Sequence, residues 1–410
     1  MNAVKNLSTM KNIILFIIAI AISGNTLCQW TQLNSGTGQK LEDIDCPSTN
    51  VCYVAGDAGT ILKTTDGGQT WVSKTNGLDV TEYYNSIDCI DENTCFTAHG
   101  NGGLYKTTDG GDTWVEKNMP AGSITKIFMT NSSIGYASPV GAYLKTIDGG
   151  ENWTWETSSL HFGTNTSIFF FNQDTGYFAF GDATDMGVIK TTDGGNNWSY
   201  SLTGISCPPK ALHFSTISFG ILVGSDGCAY RTTDQGASWD TLNTGTSKIL
   251  EDIWCVDEDT CYIVGSTGAS MLKTTDGGNT WASDLGSAPS ANYLSIDFPS
   301  QNVGYAVGWG GTIIKKDYST GFGELKDNSP SINIFPNPAT EETIIYYAAN
   351  NSSFNKSHFE VFDVLGKKVS SQELNQGNNK LKNNDLFSGM YLYTVVSDNT
   401  ILQTGKLMVN

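Results

Sequence analysis

One eight-residue motif recurs along the chain and constrains its fold more than any other feature. Its first copy, at residues 64–71, reads Thr-Thr-Asp-Gly-Gly-Gln-Thr-Trp, and five further copies end at Trp114, Trp153, Trp198, Trp239 and Trp281. The aspartates of these copies lie 39 to 45 residues apart, and a degenerate seventh copy lies around Asp317. A period of about 40 to 45 residues with strand-like content is typical of radial β-repeat arrays. The repeat therefore predicts a β-propeller.

The motif itself has the chemistry of a tight turn between two strands. An aspartate can accept hydrogen bonds from backbone groups just after it, and glycine supplies the positive φ that such a turn needs. The pattern Thr-x-Asp-x-Gly-x-Thr-Trp resembles the Asp-box of bacterial neuraminidase-type repeats, which are structural turns on propellers of unrelated function. We therefore expect an architectural role, neither catalytic nor calcium-binding, for Asp66, Asp109, Asp148, Asp193, Asp234 and Asp276.

Each repeat reads as four strands, and the repeats together predict seven blades. One position of the first strand is apolar in all seven repeats, at Ile44, Ile87, Ile127, Phe169, Leu212, Ile253 and Ile296. Only six Trp-led fourth strands follow the seven third strands. Residues 30–35 resemble the missing fourth strand, so we expect them to pair with residues 313–316 and close the ring. Closure of this kind leaves no unpaired edge between the first and last blades.

The cysteines fit an exported protein with disulfide bonds. Three pairs with the same spacing occupy one hairpin position, and the other repeats place an apolar residue opposite a glycine there, which implies that the two sites face each other. The predicted disulfide bonds are Cys46–Cys52, Cys89–Cys95, Cys255–Cys261 and, from two loops of the fifth blade, Cys207–Cys228. Zinc ligation is the alternative, and the distribution of the pairs over different blades disfavours it.

The termini indicate export. Residues 1–28 combine a basic start, an apolar run at 13–22 and small residues before Gln29, as in a secretory signal peptide, and the apolar run is too short to span a bilayer. A lipoprotein anchor at Cys28 is the rival interpretation, although residues 25–27 match the usual lipobox poorly. No transmembrane segment is expected in the mature chain.

Composition excludes two classes of partner or activity. The formal charge of −18 argues against nucleic-acid binding, which needs basic surface. Arg231 is the only arginine of the 410 residues. A sialidase binds the carboxylate of its substrate with a cluster of arginines, so this chain does not fit that activity despite its repeats. No cofactor or metal site is expected, because the four histidines show no ligand spacing.

The C-terminal part, residues 332–410, follows a polar linker at 323–331 and predicts a small β-sandwich. It resembles the type A C-terminal sorting domain of the Bacteroidetes type IX (Por) secretion system. The resemblance rests on the Phe-Pro-Asn-Pro segment at 335–338, the turn at 363–367, the strand at 386–391 and the Lys-Leu-Met-Val ending at 406–409. It implies contact with the type IX secretion machinery and a secreted or outer-membrane surface location, reached through the periplasm.

The propeller, taken as residues 29–322, resembles the photosystem II assembly/stability factor-like family of BNR-type repeats. Members of that family act as assembly chaperones and not as enzymes, and their partner contact involves a basic patch that this acidic chain lacks. The resemblance therefore implies the all-β fold and a non-catalytic role, without the photosynthetic partner.

The expected function is that of a non-catalytic binding protein with a glycan or protein ligand. Candidate binding residues are aromatic and histidine side chains expected on the rim opposite the Asp-boxes: Tyr83, Tyr84, His161, Phe162, Tyr293 and Trp309. A secreted glycoside hydrolase is the alternative, because an acidic propeller offers carboxylate pairs, with Glu42, Asp57, Asp182, Asp185, Asp226 and Glu251 as rim candidates. Related xyloglucanases, however, use two propellers around a cleft.

Overall fold

The computed structural model divides the chain into two compact units, Met1–Gly321 and Phe322–Asn410. In the first unit it describes residues 30–120, 122–139, 141–156, 160, 164–181, 185–266 and 270–318. In the second unit it describes residues 331–335, 343–348, 357–363, 367–375, 377–381, 386, 389–397 and 400–409. The predicted signal peptide, Cys28 and most of the predicted linker lie outside these residues. Within them, no helix is long and apolar enough to cross a membrane.

The first unit is built almost entirely of short strands. In chain order these are β1 (Thr31–Leu33), β2 (Leu41–Asp45), β3 (Cys52–Gly56), β4 (Ile61–Thr64), β5 (Val72–Ser73), β6 (Tyr84–Cys89), β7 (Cys95–His99), β8 (Leu104–Thr107), β9 (Val115–Glu116), β10 (Ile124–Met129), β11 (Gly135–Pro139), β12 (Tyr143–Thr146), β13 (Thr154–Glu156), β14 (Thr164–Phe170), β15 (Gly176–Gly181), β16 (Met186–Thr191), β17 (Ser199–Thr203), β18 (Pro209–Phe214), β19 (Gly220–Gly224), β20 (Cys228–Thr232), β21 (Asp240–Asn243), β22 (Leu250–Cys255), β23 (Cys261–Gly265), β24 (Ser270–Thr274), β25 (Ala282–Ser283), β26 (Tyr293–Ser300), β27 (Val303–Gly308) and β28 (Ile313–Asp317). Two single-turn 3₁₀ segments, Ser225–Gly227 and Trp309–Gly311, precede β20 and β28.

These strands form seven four-stranded antiparallel sheets in the described part of the first unit, and they confirm the expected propeller fold. Six sheets use consecutive strands, β2–β5 through β22–β25, and are numbered 1 to 6 here. Sheet 7 has the order β1-β28-β27-β26, with Thr31 opposite Lys315 and Leu33 opposite Ile313. The strand at the start of the described chain therefore completes the last sheet, as the repeat count predicts.

The first strand of each repeat is the innermost strand of its sheet, and its apolar position fills the space between neighbouring sheets. Ile44, Ile87, Ile253 and their equivalents are buried there. The structure corrects the prediction in sheet 4, where Ile168 occupies this position and Phe169 does not. Phe170, and not Phe171, stands opposite Gly176, whose missing side chain leaves room for the phenyl ring.

The four expected disulfide bonds are present in the structure. Cys46–Cys52, Cys89–Cys95 and Cys255–Cys261 each close a hairpin between the first two strands of a repeat, with Cα atoms 4.0 Å apart. Cys207–Cys228 joins the segment before β18 to the start of β20, with a Cα–Cα distance of 6.5 Å. The three hairpin disulfides therefore stand where the other repeats place the apolar–glycine pair.

Each Asp-box aspartate accepts hydrogen bonds from residues of its own turn. The Oδ1 atom of Asp66 accepts hydrogen bonds from the Thr64 hydroxyl at 2.8 Å and the Thr70 backbone N–H at 2.9 Å, and its Oδ2 atom accepts from the Thr70 hydroxyl at 2.7 Å. These bonds hold the pKa of Asp66 down, to about 2. The same pattern recurs at Asp109, Asp148, Asp193, Asp234 and Asp276.

A basic residue three positions before most Asp-box aspartates joins neighbouring sheets. The Lys145 ammonium lies 5.7 Å from the centre of the Tyr136 ring in its own sheet and donates a 2.7 Å hydrogen bond to the Gly194 carbonyl in the next Asp-box. Lys63, Lys106, Lys190 and Arg231 donate in the same way to the carbonyls of Gly110, Gly149, Gln235 and Gly277. We call these contacts the basic clamps.

In the seventh repeat, the motif position that the sequence assigns to Asp317 is shifted by one residue. The strand register places Lys315 at the clamp position and Lys316 where the other repeats have threonine, so Asp317 does not occupy the Asp-box aspartate position. The Lys316 ammonium instead pairs with Asp284, which also accepts a 3.0 Å hydrogen bond from the Trp30 indole. This contact ties the first described residue to the connection between sheets 6 and 7.

The second unit is the expected small β-sandwich. Its strands are β29 (Ser331–Phe335), β30 (Ile344–Ala348), β31 (Ser357–Phe362), β32 (Lys368–Leu374), β33 (Gly377–Lys380), β34 (Gly389–Ser397) and β35 (Thr400–Val409). They form one sheet of order β29-β30-β33 and a second of order β32-β31-β34-β35. Ile345 and Tyr347 from the first sheet share a buried core with Phe359, Val395 and Leu407 from the second.

Because β1 closes the ring, we expect that replacing the neighbouring Trp30 strongly destabilises the propeller. Its side chain is fully buried and meets Tyr262 and Phe298 edge to face. We expect Trp30→Ala to lower the free energy of unfolding of the propeller by about 3–5 kcal/mol, measured by urea denaturation followed by circular dichroism.

Trp309→Ala is the matched control, because its side chain is 52% exposed. Its effect should stay within about 0.5 kcal/mol. Equal midpoints for the two variants would contradict a closing role for this strand.

Candidate functional site

A cavity of about 550 Å³ runs through the centre of the propeller. All of the residues that line it come from the seven innermost strands, β2, β6, β10, β14, β18, β22 and β26, or lie next to their ends. Its volume falls within the range of roughly 300–1,000 Å³ typical of small-ligand sites. We refer to this cavity as the central channel.

The repeat places the channel residues in three rings, one residue from each sheet. The first ring, nearest the start of the strands, contains Glu42, Asn85, Thr125, Thr166, Lys210, Glu251 and Leu294. The second ring follows at Asp43, Ser86, Lys126, Ser167, Ala211, Asp252 and Ser295. The third ring, beyond the buried apolar position, contains Asp45, Asp88, Phe128, Phe169, His213, Trp254 and Asp297.

Second-ring side chains hold the innermost strand of the next sheet. The Asp43 carboxylate accepts the Ile87 backbone N–H at 3.0 Å, and the Asp252 carboxylate accepts the Ile296 N–H at 2.9 Å. Serine hydroxyls take this role elsewhere, because Ser86 accepts from Ile127 N–H at 3.2 Å and Ser167 from Leu212 N–H at 3.1 Å. We call these bonds the inter-sheet latches.

The third ring begins with carboxylates from three neighbouring sheets. Asp297, Asp45 and Asp88 each form a latch, to the backbone N–H groups of Cys46, Cys89 and Met129 at 2.7, 2.5 and 2.8 Å. Burial raises the pKa of Asp45 to about 7 and raises those of Asp88 and Asp297 well above their usual range, and the charge of Asp45 adds to both of the latter shifts. We call these three residues the carboxylate arc.

The other four members of the third ring form an aromatic arc of Phe128, Phe169, His213 and Trp254. Neighbouring ring centres are 5.9 Å apart for Phe128 and Phe169, 5.3 Å for Phe169 and His213, and 4.3 Å for His213 and Trp254. His213 is neutral, because burial lowers its pKa to about 3 and its Nδ1 atom accepts the Cys255 N–H at 3.1 Å. The third ring is therefore acidic on one side and aromatic on the other.

In the described part of the chain, lysines pair with three of the four carboxylates of the first two rings, all except Asp252, but form no ion pair with the carboxylate arc. In the first ring, Glu42 pairs with Lys40 at 2.5 Å and Glu251 with Lys210 at 3.3 Å. In the second ring, Lys126 Nζ lies 3.1 Å from Asp43 Oδ1. Burial alone would lower the pKa of Lys126, but Asp43 and Asp252 outweigh it and raise that pKa. Among the described residues, no ion pair reaches Asp45, Asp88 or Asp297.

The described residues contain no group of three or more His, Cys, Asp or Glu side chains arranged to hold a metal ion. The arrangement in the channel suits recognition of a positively charged group, since the carboxylate arc supplies charge and the aromatic arc supplies ring faces that attract cations.

The structure places the predicted rim residues in different environments. Tyr83 and Trp309 are exposed, at 44% and 52%, and the Lys40 ammonium lies 5.5 Å from the centre of the Trp309 ring. Tyr84 and Tyr293 are fully buried, so the expectation that they are exposed is wrong. Both begin an innermost strand and fill the core between sheets, and the Tyr293 hydroxyl donates to the Pro289 carbonyl. His161 and Phe162 lie outside the described residues.

Two of the predicted rim carboxylates, Glu42 and Glu251, belong to the first ring. The sequence analysis did not predict the third ring. A signal for it exists, because its members follow the buried apolar position by one residue in every repeat. With the repeats in register, that column reads Asp, Asp, Phe, Phe, His, Trp and Asp. An acidic half and an aromatic half are visible there once the fourth repeat is shifted by one residue.

Comparison with known families finds one match in each unit. Residues 22–158 match the family described as photosynthesis system II assembly factor YCF48, and residues 333–410 match the secretion system C-terminal sorting domain. The first part of the propeller is therefore similar to YCF48, and the second unit is similar to a secretion-system sorting domain. The sorting domain indicates export to the cell surface or the extracellular space. No curated protein matches the sequence.

Solved structures support the same fold. A structure described as YCF48 bound to D1 peptide has a TM-score of 0.60 at 20% identity, covering 70% of this chain and 96% of that chain. YCF48 from Cyanidioschyzon merolae gives 0.60 at 18%, covering 71% and 99%. The GH74 enzyme of Niastella koreensis gives 0.58 at 13%, covering 92% of this chain and 67% of that enzyme. At these identities the likeness shows the fold alone.

The carboxylate arc predicts a pH-dependent stability. A carboxyl group whose pKa is higher in the folded state than in the unfolded state stabilises the fold below about pH 4, and this contribution is lost as the pH rises through the folded pKa. Asp88→Asn keeps an oxygen for the Met129 latch and removes the charge beside Asp45. We expect its stability relative to wild type to improve between pH 5 and pH 8, measured as urea midpoints by tryptophan fluorescence.

Asp240→Asn removes the same charge from a side chain that is 76% exposed, and should show no such trend. An Asp88→Asn variant that is equally destabilised at both pH values would show that the latch needs the charge.

Proposed function

We propose that this protein is an exported, non-catalytic binding protein whose ligand reaches the central channel of the propeller. The observation that carries the proposal is the third ring, where three carboxylates face four aromatic or imidazole rings around an open cavity. Concave sites with a few convergent polar groups and perturbed pKa values are the usual places of ligand binding.

The inter-sheet latches support a non-catalytic role. A glycosidase needs one carboxyl group that moves a proton and a second that acts as a nucleophile or a base, at a defined separation across the substrate. Asp45, Asp88 and Asp297 each accept a backbone N–H of the next sheet, so moving them toward a substrate would break the contact between sheets. The GH74 likeness is a likeness of fold and does not outweigh this.

A protein or peptide ligand fits the channel better than a neutral glycan. The carboxylate arc is acidic and forms no ion pair among the described residues. A neutral sugar would not supply a positive charge to pair with it. The structure described as YCF48 bound to D1 peptide supports a peptide ligand, because it shows that a propeller of this fold can bind a peptide. The acidic composition of this chain favours a basic partner.

The purified protein can be tested on peptide and glycan arrays, with analysis of the captured ligands for cleavage. Retention of a ligand without cleavage is expected. Newly formed reducing ends or peptide termini would overturn the non-catalytic assignment, and the absence of any retained ligand on either array would overturn the binding function.

Deletion of residues 332–410 should leave a folded propeller in the periplasm, measured by cell fractionation with circular dichroism of the retained protein. The expectation follows from ring closure, which uses β1 and β28 and no strand of the second unit. Deletion of residues 406–410 alone should also block export, because it removes Leu407 and Val409 from the sandwich core. Normal secretion of both truncated proteins would contradict a sorting role.

A further inference from the structure

We propose that the third ring of the central channel binds a basic side chain of a peptide ligand, with the cation between the carboxylate arc and the aromatic arc. The proposal rests on the proposed function and names the chemical class of its ligand. Its basis is the combination of an open cavity, a group of carboxylates with no ion pair among the described residues and a facing wall of rings, and no one of these would carry it alone.

The first step is the charge of the channel. Each glutamate of the first ring forms an ion pair with a lysine, and Lys126 forms one with Asp43 in the second ring. The carboxylate arc has no such partner among the described residues. Burial raises the pKa values of the arc, and the charge of Asp45 raises those of Asp88 and Asp297 further, because like charges in a partly desolvated site repel. A bound cation would relieve this repulsion.

The second step is the aromatic arc. Phe128, Phe169 and Trp254 are only half-buried, although they lie at the centre of the molecule, because the cavity leaves part of their surface uncovered. Ring faces attract cations, most strongly where water is excluded, and tryptophan is the most effective of them. The same rings would cover the apolar stem of a lysine or arginine side chain.

The third step is an internal precedent. Lys126 extends into the same cavity from β10 and places its ammonium against a channel aspartate at 3.1 Å. The channel therefore already holds one ammonium group on an aliphatic stem, one ring away from the carboxylate arc. The cavity that remains open, about 550 Å³, accommodates a second.

The test uses a blocked heptapeptide, Gly-Ser-Gly-Lys-Gly-Ser-Gly, and its twin with norleucine in place of lysine, titrated into the purified, oxidised protein at pH 8 by calorimetry. Norleucine keeps the aliphatic stem and removes the ammonium. We expect the lysine peptide to bind at least about tenfold more tightly than the norleucine peptide. Asp88→Asn should weaken binding of the lysine peptide by about tenfold and leave that of the norleucine peptide unchanged.

Asp240→Asn is the matched control for overall charge and should bind both peptides as wild type does. Trp254→Phe, a second variant that retains a ring, should weaken binding of the lysine peptide less than Asp88→Asn does. Equal affinity for the two peptides, or equal loss in Asp88→Asn and Asp240→Asn, would overturn the proposal. If array ligands bind wild type and Asp88→Asn alike, the binding function stands and this assignment of the third ring fails.

Discussion

The inter-sheet latches are the contacts on which the centre of this protein depends. The innermost strand of each sheet is an edge, and an edge strand exposes backbone N–H groups that need acceptors. In this propeller the acceptor comes from the preceding sheet, as an aspartate, a serine or His213. Because Asp297 in sheet 7 accepts from Cys46 in sheet 1, the same device also spans the closure of the ring. Many polar side chains in the channel thus hold neighbouring sheets together.

The Asp-box motif carries a second set of contacts farther out in each sheet. The aspartate fixes the turn, the turn presents a glycine or glutamine carbonyl, and the basic clamp of the preceding sheet donates to that carbonyl. The lysine lies over a ring of its own sheet, such as Tyr136. The repeated Lys-Thr-x-Asp-Gly sequence is therefore an inter-sheet joint as well as a hairpin turn, and this explains why the lysine recurs with the motif.

The sequence reveals this architecture well because its signals are local and repeated. The period, the turn residues and the cysteine positions each predict the same sheets, and residues 30–35 predict closure. Prediction failed where the local pattern was ambiguous. The run from Ile168 to Phe171 is apolar throughout, so the alternation that sets strand register gave no signal. The rim prediction failed for Tyr84 and Tyr293 because each is the first residue of an innermost strand. A buried tyrosine with a hydrogen-bonded hydroxyl has no distinct sequence signature. The third ring depends on seven distant segments, which only the folded ring brings together.

The aromatic arc is the part of the channel that the architecture does not explain. Phe128, Phe169 and Trp254 occupy positions where Asp45 and Asp88 serve as latches, and neither a phenyl nor an indole ring offers such an acceptor. These positions therefore give up a stabilising contact on one side of the ring, while the other side concentrates three acidic groups that repel one another. Both departures from the repeat lie in the third ring of one cavity. Departures gathered in one place of an otherwise regular repeat are expected at a functional site, in agreement with the proposed binding of a cation.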